Sequence, residues 1–187
     1  MNFALYERPE GVETTGGVSV VYDLANVRAY FGAARVDGPA LVWELVGTEP
    51  LVTHCHKVEG AALEVDVELD PAVEWIARCD RVEFPAGGVA YRHVHPGPGI
   101  RRLLHGALTI DSPDGVSTYR SEGAWFEGAD QPVLATASVT DETAFVRVLL
   151  LPAAWQGRRS IRYLDPADDE KPKLQQATVL LEEPLTL

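Results

Sequence analysis

Short β-forming runs recur along this chain, each closed by a turn signal, and that rhythm restricts the fold more than any other feature. VSVVY (18–22) and ALVWELV (40–46) are apolar runs. AALEVDVEL (61–69) alternates: Leu63, Val65, Val67 and Leu69 fall on one face, Glu64, Asp66 and Glu68 on the other. That is the pattern of a half-buried strand, and Asp70-Pro71 ends it. EWIARCDRVEF (74–84) runs to the turn Pro85-Ala86-Gly87-Gly88, and VAYRHVH (89–95) runs to Pro96-Gly97-Pro98-Gly99. IRRLL (100–104), ALTID (107–111), VSTYR (116–120), AWFE (124–127), VLATASV (133–139) and TAFVRVLLL (143–151) follow at short intervals. So many short strands with turns between them predict an all-β sandwich or barrel, and closure of the sheet removes exposed edges.

Helix is expected only in minor amount, as one short turn over 152–157. Residues 165–173 read as a charged loop bounded by prolines, 174–181 as a last strand, and 1–17 as an N-terminal arm. With 187 residues the chain is read as one domain, with its motif-bearing core at 75–152 and a C-terminal extension at 153–187. A chain of that length buries a full core without disulfides.

Charge narrows the partners. Sixteen Lys and Arg face 28 Asp and Glu, a net −12, which disfavours nucleic-acid backbones and anionic membrane surfaces. No apolar run approaches the ~18–20 residues that span a bilayer. The first residues lack the basic stretch and apolar run of a secretory leader. Two cysteines, Cys55 and Cys79, make no disulfide framework and no CxxC pair. The expectation is a cytoplasmic protein with reduced thiols.

Chemistry concentrates on 89–95. Residues two apart on a strand share a face, so His93 and His95 are expected to point together, with Tyr91 beside them. Two neutral imidazoles side by side are half of a metal site. The run Gly87-(x5)-His93-x-His95-(x3)-Gly99-(x6)-Gly106 resembles the first conserved motif of the cupin superfamily, G(x)5HxH(x)3-4E(x)6G. Residues 122–152 look like the second cupin motif region of small bacterial cupins. The resemblance covers roughly 75–152. It implies a cupin-type double-stranded β-helix, the RmlC-like jelly-roll barrel, and a divalent metal (Fe, Mn, Ni or Zn).

The departures are as informative. Gly99 stands where the motif has glutamate, and Val133, after Pro132, stands where the second motif supplies histidine; no histidine follows His105. The resemblance implies three histidines and a glutamate around the metal, and only two of these ligands remain. Glu127 and His105 are the candidates to complete the set. Arg147 lies in an otherwise apolar strand and must find an anionic partner, either an internal carboxylate or the carboxylate of a substrate. Arg101 and Arg102 occupy opposite faces of their strand, so one of them points to the barrel interior; Arg102 is carried as a substrate-binding candidate. Tyr91 and Trp125 are candidate pocket walls. His54 and His56, flanking Cys55 with Glu59 nearby, form a second cluster with no motif behind it.

Two readings stay open. One is a metal-dependent small-molecule enzyme of dioxygenase or isomerase type, His93 and His95 holding the metal and Glu127 completing a two-histidine, one-carboxylate set. The other is a non-catalytic small-ligand-binding barrel that has lost full metal coordination. A homodimer is expected by analogy with other cupins. Nucleotide-loop and nucleophile-elbow motifs are missing from the sequence.

Overall fold

In a computed structural model, residues 1–47 and 60–186 are described; His54, Cys55, His56 and Glu59 lie outside them. Fifteen strands among the described residues form three antiparallel sheets.

The motif-bearing core supplies eight consecutive strands: β6 (Trp75–Phe84), β7 (Val89–Val94), β8 (Gly99–His105), β9 (Ala107–Ser112), β10 (Gly115–Arg120), β11 (Ala124–Glu127), β12 (Val133–Ala137) and β13 (Thr143–Pro152). They pair in the orders β6-β13-β8-β11 and β7-β12-β9-β10. Numbered from one to eight, these are 1-8-3-6 and 2-7-4-5, two interleaved Greek keys, which is a jelly roll. The chain therefore switches sheet at almost every turn. Gly87 and Gly106, the outer glycines of the motif, take φ of +71° and +79° at two of these reversals, where a side chain would be strained.

The first part of the chain adds a second layer. Residues 1–17, expected as an arm, instead form β1 (Asn2–Arg8) and the start of β2 (Val12–Asp23); β3 (Arg28–Val36), β4 (Ala40–Val46) and β5 (Leu63–Asp66) complete a sheet ordered β3-β2-β4-β1-β5. Its apolar face, with Phe3, Leu5, Tyr22, Leu41 and Trp43, packs on the outer face of the β6-β13-β8 sheet, on Cys79, Ile100, Val146 and Val148. Trp43 Nε1 donates across this interface to the Ile100 carbonyl at 3.2 Å, so the indole buries its ring without orphaning its N–H.

This outer packing fixes which residues look inward. On β6, Ala77 and Cys79 belong to the interface, leaving Arg78, Asp80, Val82 and Phe84 to the barrel interior. On β13, Val146 and Val148 face out and Phe145 and Arg147 face in. Cys79 is the small core residue expected of it, and burial pushes its thiol up, away from the reactive thiolate.

The C-terminal extension holds β14 (Arg162–Tyr163), one turn of 3-10 helix at Ala153–Trp155 and β15 (Gln176–Pro184), which pairs with β6. The expected charged loop also contains a short helix, α1 (Ala167–Glu170). Arg78 ties this extension down: its Nε donates to Glu182 Oε1 at 2.6 Å and its Nη2 to the Trp155 carbonyl at 2.9 Å. No helix of the described residues is long and apolar enough to cross a membrane.

Candidate functional site

The barrel encloses a cavity of about 510 Å³, within the usual range for small-molecule sites. One end is apolar, walled by Phe84, Leu108, Ile110, Trp125 and Phe145. The other end is polar and holds His93, His95, Asp80, Arg101, Glu127 and Arg147, every one of them buried.

His93 and His95 do point into the cavity, with ring centroids 5.1 Å apart. Tyr91 does not join them. Val133 lies opposite His93 and Ala135 opposite Ala90, so Tyr91 and Arg92 form a bulge in β7. The bulge breaks the alternation on which the shared face of Tyr91 and His93 was predicted, and Ala90 takes the inward position. Tyr91 is half-buried beside Tyr163, with Lys171 Nζ 4.5 Å from its ring centre.

Each imidazole has a defined tautomer, because Nδ1 faces a carbonyl that can only accept. His93 Nδ1 donates to the Tyr91 carbonyl at 2.6 Å, and His95 Nδ1 to the Ser160 carbonyl at 3.0 Å. Nε2 of each ring is then the lone pair. Burial, the largest influence, pushes His93 down to about 4 and His95 well below its ordinary value. Arg147 adds to the lowering on both, while Glu127 opposes it on His93. Both rings are neutral near pH 7.

The two lone pairs have different fates. Arg147 Nη1 reaches His95 Nε2 at 3.1 Å, and Arg147 Nε and Nη2 both reach Asp80 Oδ2, at 3.0 and 2.8 Å. Of the two partners open to Arg147, the internal carboxylate is the one present. His93 Nε2 has no hydrogen-bond partner among the described residues.

Glu127 is committed as well. Trp125 Nε1 donates to its Oε1 at 2.8 Å, and Arg101 Nη2 stands 2.6 Å from its Oε2. The second contact is ionic, since the N–H directions of Nη2 miss the oxygen. Burial lowers Arg101 to about 10, Glu127 opposing, so the guanidinium stays charged. Glu127 lies directly opposite Gly99, next to where the motif's own carboxylate is missing.

Two further candidates lie away from the cavity. Arg102 points outward to the β1 sheet and pairs with Glu7 at 2.8 Å; its neighbour Arg101 takes the inward place. His105 sits exposed at the end of β8, its Nδ1 donating to the Glu142 carbonyl at 3.2 Å. The groups unforeseen in the sequence are Asp80, Arg101 as the inward arginine, and Ser160. Nothing in WIARCDRVEF singles out Asp80, since β6 also carries Arg78, Arg81 and Glu83.

These donors do not fit a divalent metal. Among the described residues no three His, Cys, Asp or Glu side chains are grouped to hold one. A firm site needs three or four protein ligands. Here His95 Nε2 faces a guanidinium, the nearby carboxylates are spent on Arg147 and Arg101, and both cations repel a dication.

No protein-family model and no curated protein matches the chain. Among solved structures it is similar to an RmlC-like cupin from Shewanella frigidimarina, at 13% identity over 41% of this chain and 67% of that one, TM-score 0.37. It is similar to a cupin domain from Bordetella pertussis at 18% identity over 46% and 85%, TM-score 0.35. It is also similar to the polyketide cyclase RemF from Streptomyces resistomycificus at 17% identity over 51% and 64%, TM-score 0.39. Such values bear on fold at most, and the assignment rests on the strand order of the barrel. Two face-to-face Greek keys, with paired histidines at the end of the second strand facing the interior, give this chain the cupin-type double-stranded β-helix fold.

Proposed function

We propose that this barrel binds a small organic molecule in its interior without a resident metal ion. One observation carries the reading: the Arg147 guanidinium lies 3.1 Å from His95 Nε2 and is anchored on Asp80. The paired imidazoles therefore do not converge on a shared cation, because a fixed cation already faces one of them. The positive charge that a metal would supply is supplied by two buried arginines, each balanced by its own carboxylate. A cavity with an apolar end and a polar end is the usual form of a small-ligand site.

The test is the metal content of protein purified without a histidine tag. The expected result is less than stoichiometric Fe, Mn, Ni and Zn, with a melting temperature unchanged by EDTA. One tightly held metal per chain, lost in the His93→Ala/His95→Ala double variant, overturns the reading and restores the metalloenzyme.

A further inference from the structure

The cavity lining holds more positive charge than its buried ion pairs use. Arg147 is paired with Asp80, Arg101 with Glu127 and Arg78 with Glu182. Three more cations, Arg158, Arg159 and Lys173, line the same cavity, and no further carboxylate among the described residues does. This surplus runs against a chain whose net charge is −12. All three cations lie on the extension after β13, where Arg158 and Arg159 are exposed and Lys173 is half-buried.

Their present partners leave that charge open. The Arg158 side chain has no hydrogen bond or ion pair among the described residues. Arg159 meets Asp169 at 3.6 Å with both side chains more than half exposed, so the pair is screened. Lys173 Nζ donates to the Asp168 backbone carbonyl, which is uncharged, and the Asp168 carboxylate is taken by Lys171. One ring gathers two of the three: Arg159 Cζ lies 5.0 Å and Lys173 Nζ 4.3 Å from the centre of Tyr163. The His93 ring lies 6.2 Å from that centre, and Gln175 Nε2 donates to the Tyr163 hydroxyl at 2.9 Å. Two cations on one ring repel each other, and an anion between them relieves both. The bond from Gln175 leaves its Oε1 buried without a donor. Turning the amide over lets Oε1 accept from the tyrosine hydroxyl and frees the NH2 to donate to the anion.

Resting on the small-molecule reading above, we infer that the ligand is an organic anion with an apolar body, its charged head held by Arg158, Arg159 and Lys173. Guanidinium and ammonium groups suit such a head, because their hydrogen bonds to carboxylate or phosphate are charge-assisted. The buried polar end does not compete for it. Arg147 and Arg101 already have carboxylates, and Asp80 Oδ1, which has no donor, repels an anion. The body has its place close by. β15 starts at Gln176, the register partner of Glu83, so the stretch carrying Lys173 and Gln175 reaches the barrel beside Phe84, which shares the apolar end of the cavity with Trp125 and Phe145.

The experiment compares three probes on one ring system: naphthoate, naphthalenemethanol and naphthylmethylammonium. Binding to the whole chain is followed by calorimetry. Naphthoate is expected to bind at least about ten-fold more tightly than the alcohol or the ammonium, the scale of one charge-assisted hydrogen bond, and to weaken as salt is raised. Arg158→Gln/Lys173→Gln is expected to weaken naphthoate about ten-fold and to leave naphthalenemethanol within about two-fold. Neither residue is buried, so the melting temperature of the free protein stays near its original value. Equal or tighter binding of the alcohol or the ammonium overturns the anion and leaves a small-molecule site standing. Unchanged naphthoate affinity in the double variant overturns the placing of the head on the extension. Failure of all three probes to bind overturns the ligand class; the metal content, measured separately, decides the reading beneath it.

Discussion

Arg147 Nη1 lies 3.1 Å from His95 Nε2, while two other nitrogens of the same guanidinium hold a single oxygen of Asp80. The polar end of the barrel is thus organised by a buried ion pair that reaches across two neighbouring strands, β6 and β13, where Arg147 and Asp80 are direct register partners. Removing one partner leaves an uncompensated charge in the interior. Arg147→Met is expected to cost about 3–5 kcal/mol of folding stability, and the double change Arg147→Met/Asp80→Leu to recover much of it. Urea denaturation of the two single variants and the double variant closes the cycle. A double variant no more stable than Arg147→Met would contradict the pair as described.

The histidines set an acid limit. In the unfolded chain both titrate near their ordinary value of 6.5, whereas in the folded barrel His93 stays neutral down to about 4 and His95 is held well below that ordinary value. The unfolded state therefore binds more protons across that window, and stability falls as pH drops from about 6.5 towards about 4. His93 alone accounts for on the order of 3 kcal/mol of this loss. Denaturation curves at about pH 7 and about pH 4.5 check it: the difference shrinks in His93→Gln, and an unchanged difference would sink the account.

Restoring the motif's glutamate is expected to fail. A Cβ at Gly99 would meet Leu149 Cδ2 at 2.5 Å and the Val148 carbonyl at 2.8 Å. The second of these is backbone and does not step aside. Gly99→Glu should destabilise the fold by at least about 2 kcal/mol and confer no metal binding. A stable Gly99→Glu variant that takes up one divalent ion would show that β8 has more room than its neighbours indicate.

Arg102 belongs to the joint between the layers. Arg102→Met is expected to lower stability by about 1 kcal/mol, since Glu7 is substantially exposed and its pair is screened. Urea denaturation of Arg102→Met and Glu7→Gln reads it, and the two variants should lose similar amounts. A loss of about 3 kcal/mol or more in Arg102→Met alone would contradict a screened pair at this joint.

How much of this is legible in the sequence varies with the range of the interaction. The barrel strands are legible because alternation and turn residues are local, and Gly87, His93, His95 and Gly106 stand at the motif's spacing. Val133, read as standing in the place of the second-motif histidine, lies opposite His93. The first sheet is harder: β2 slips register between Thr15 and Val20, around Gly16 and Gly17, so no single alternation runs its length. Tyr91 is misplaced because a bulge leaves no clear local signature. Arg101 and Arg102 differ only in parity, and nothing in IRRLL says which face is covered by another sheet. Asp80 and Arg147 stand 67 residues apart, and their pairing follows only from the order of strands in the closed barrel.

The extension after β13 contributes Ser160, Gln175 and Glu182 to the cavity's lining, and Arg78 fastens it through Glu182, which also accepts from the Gly157 backbone N–H at 3.0 Å. The Asp80–Arg147 and Arg101–Glu127 pairs of the interior are thus written in the barrel strands, while the fastening of this part of the wall is written in a separate, later stretch of chain. Substitutions around Gly157 and Glu182 fall on that stretch and leave the interior pairs in place, so the wall and the buried charges are open to independent adjustment in this protein.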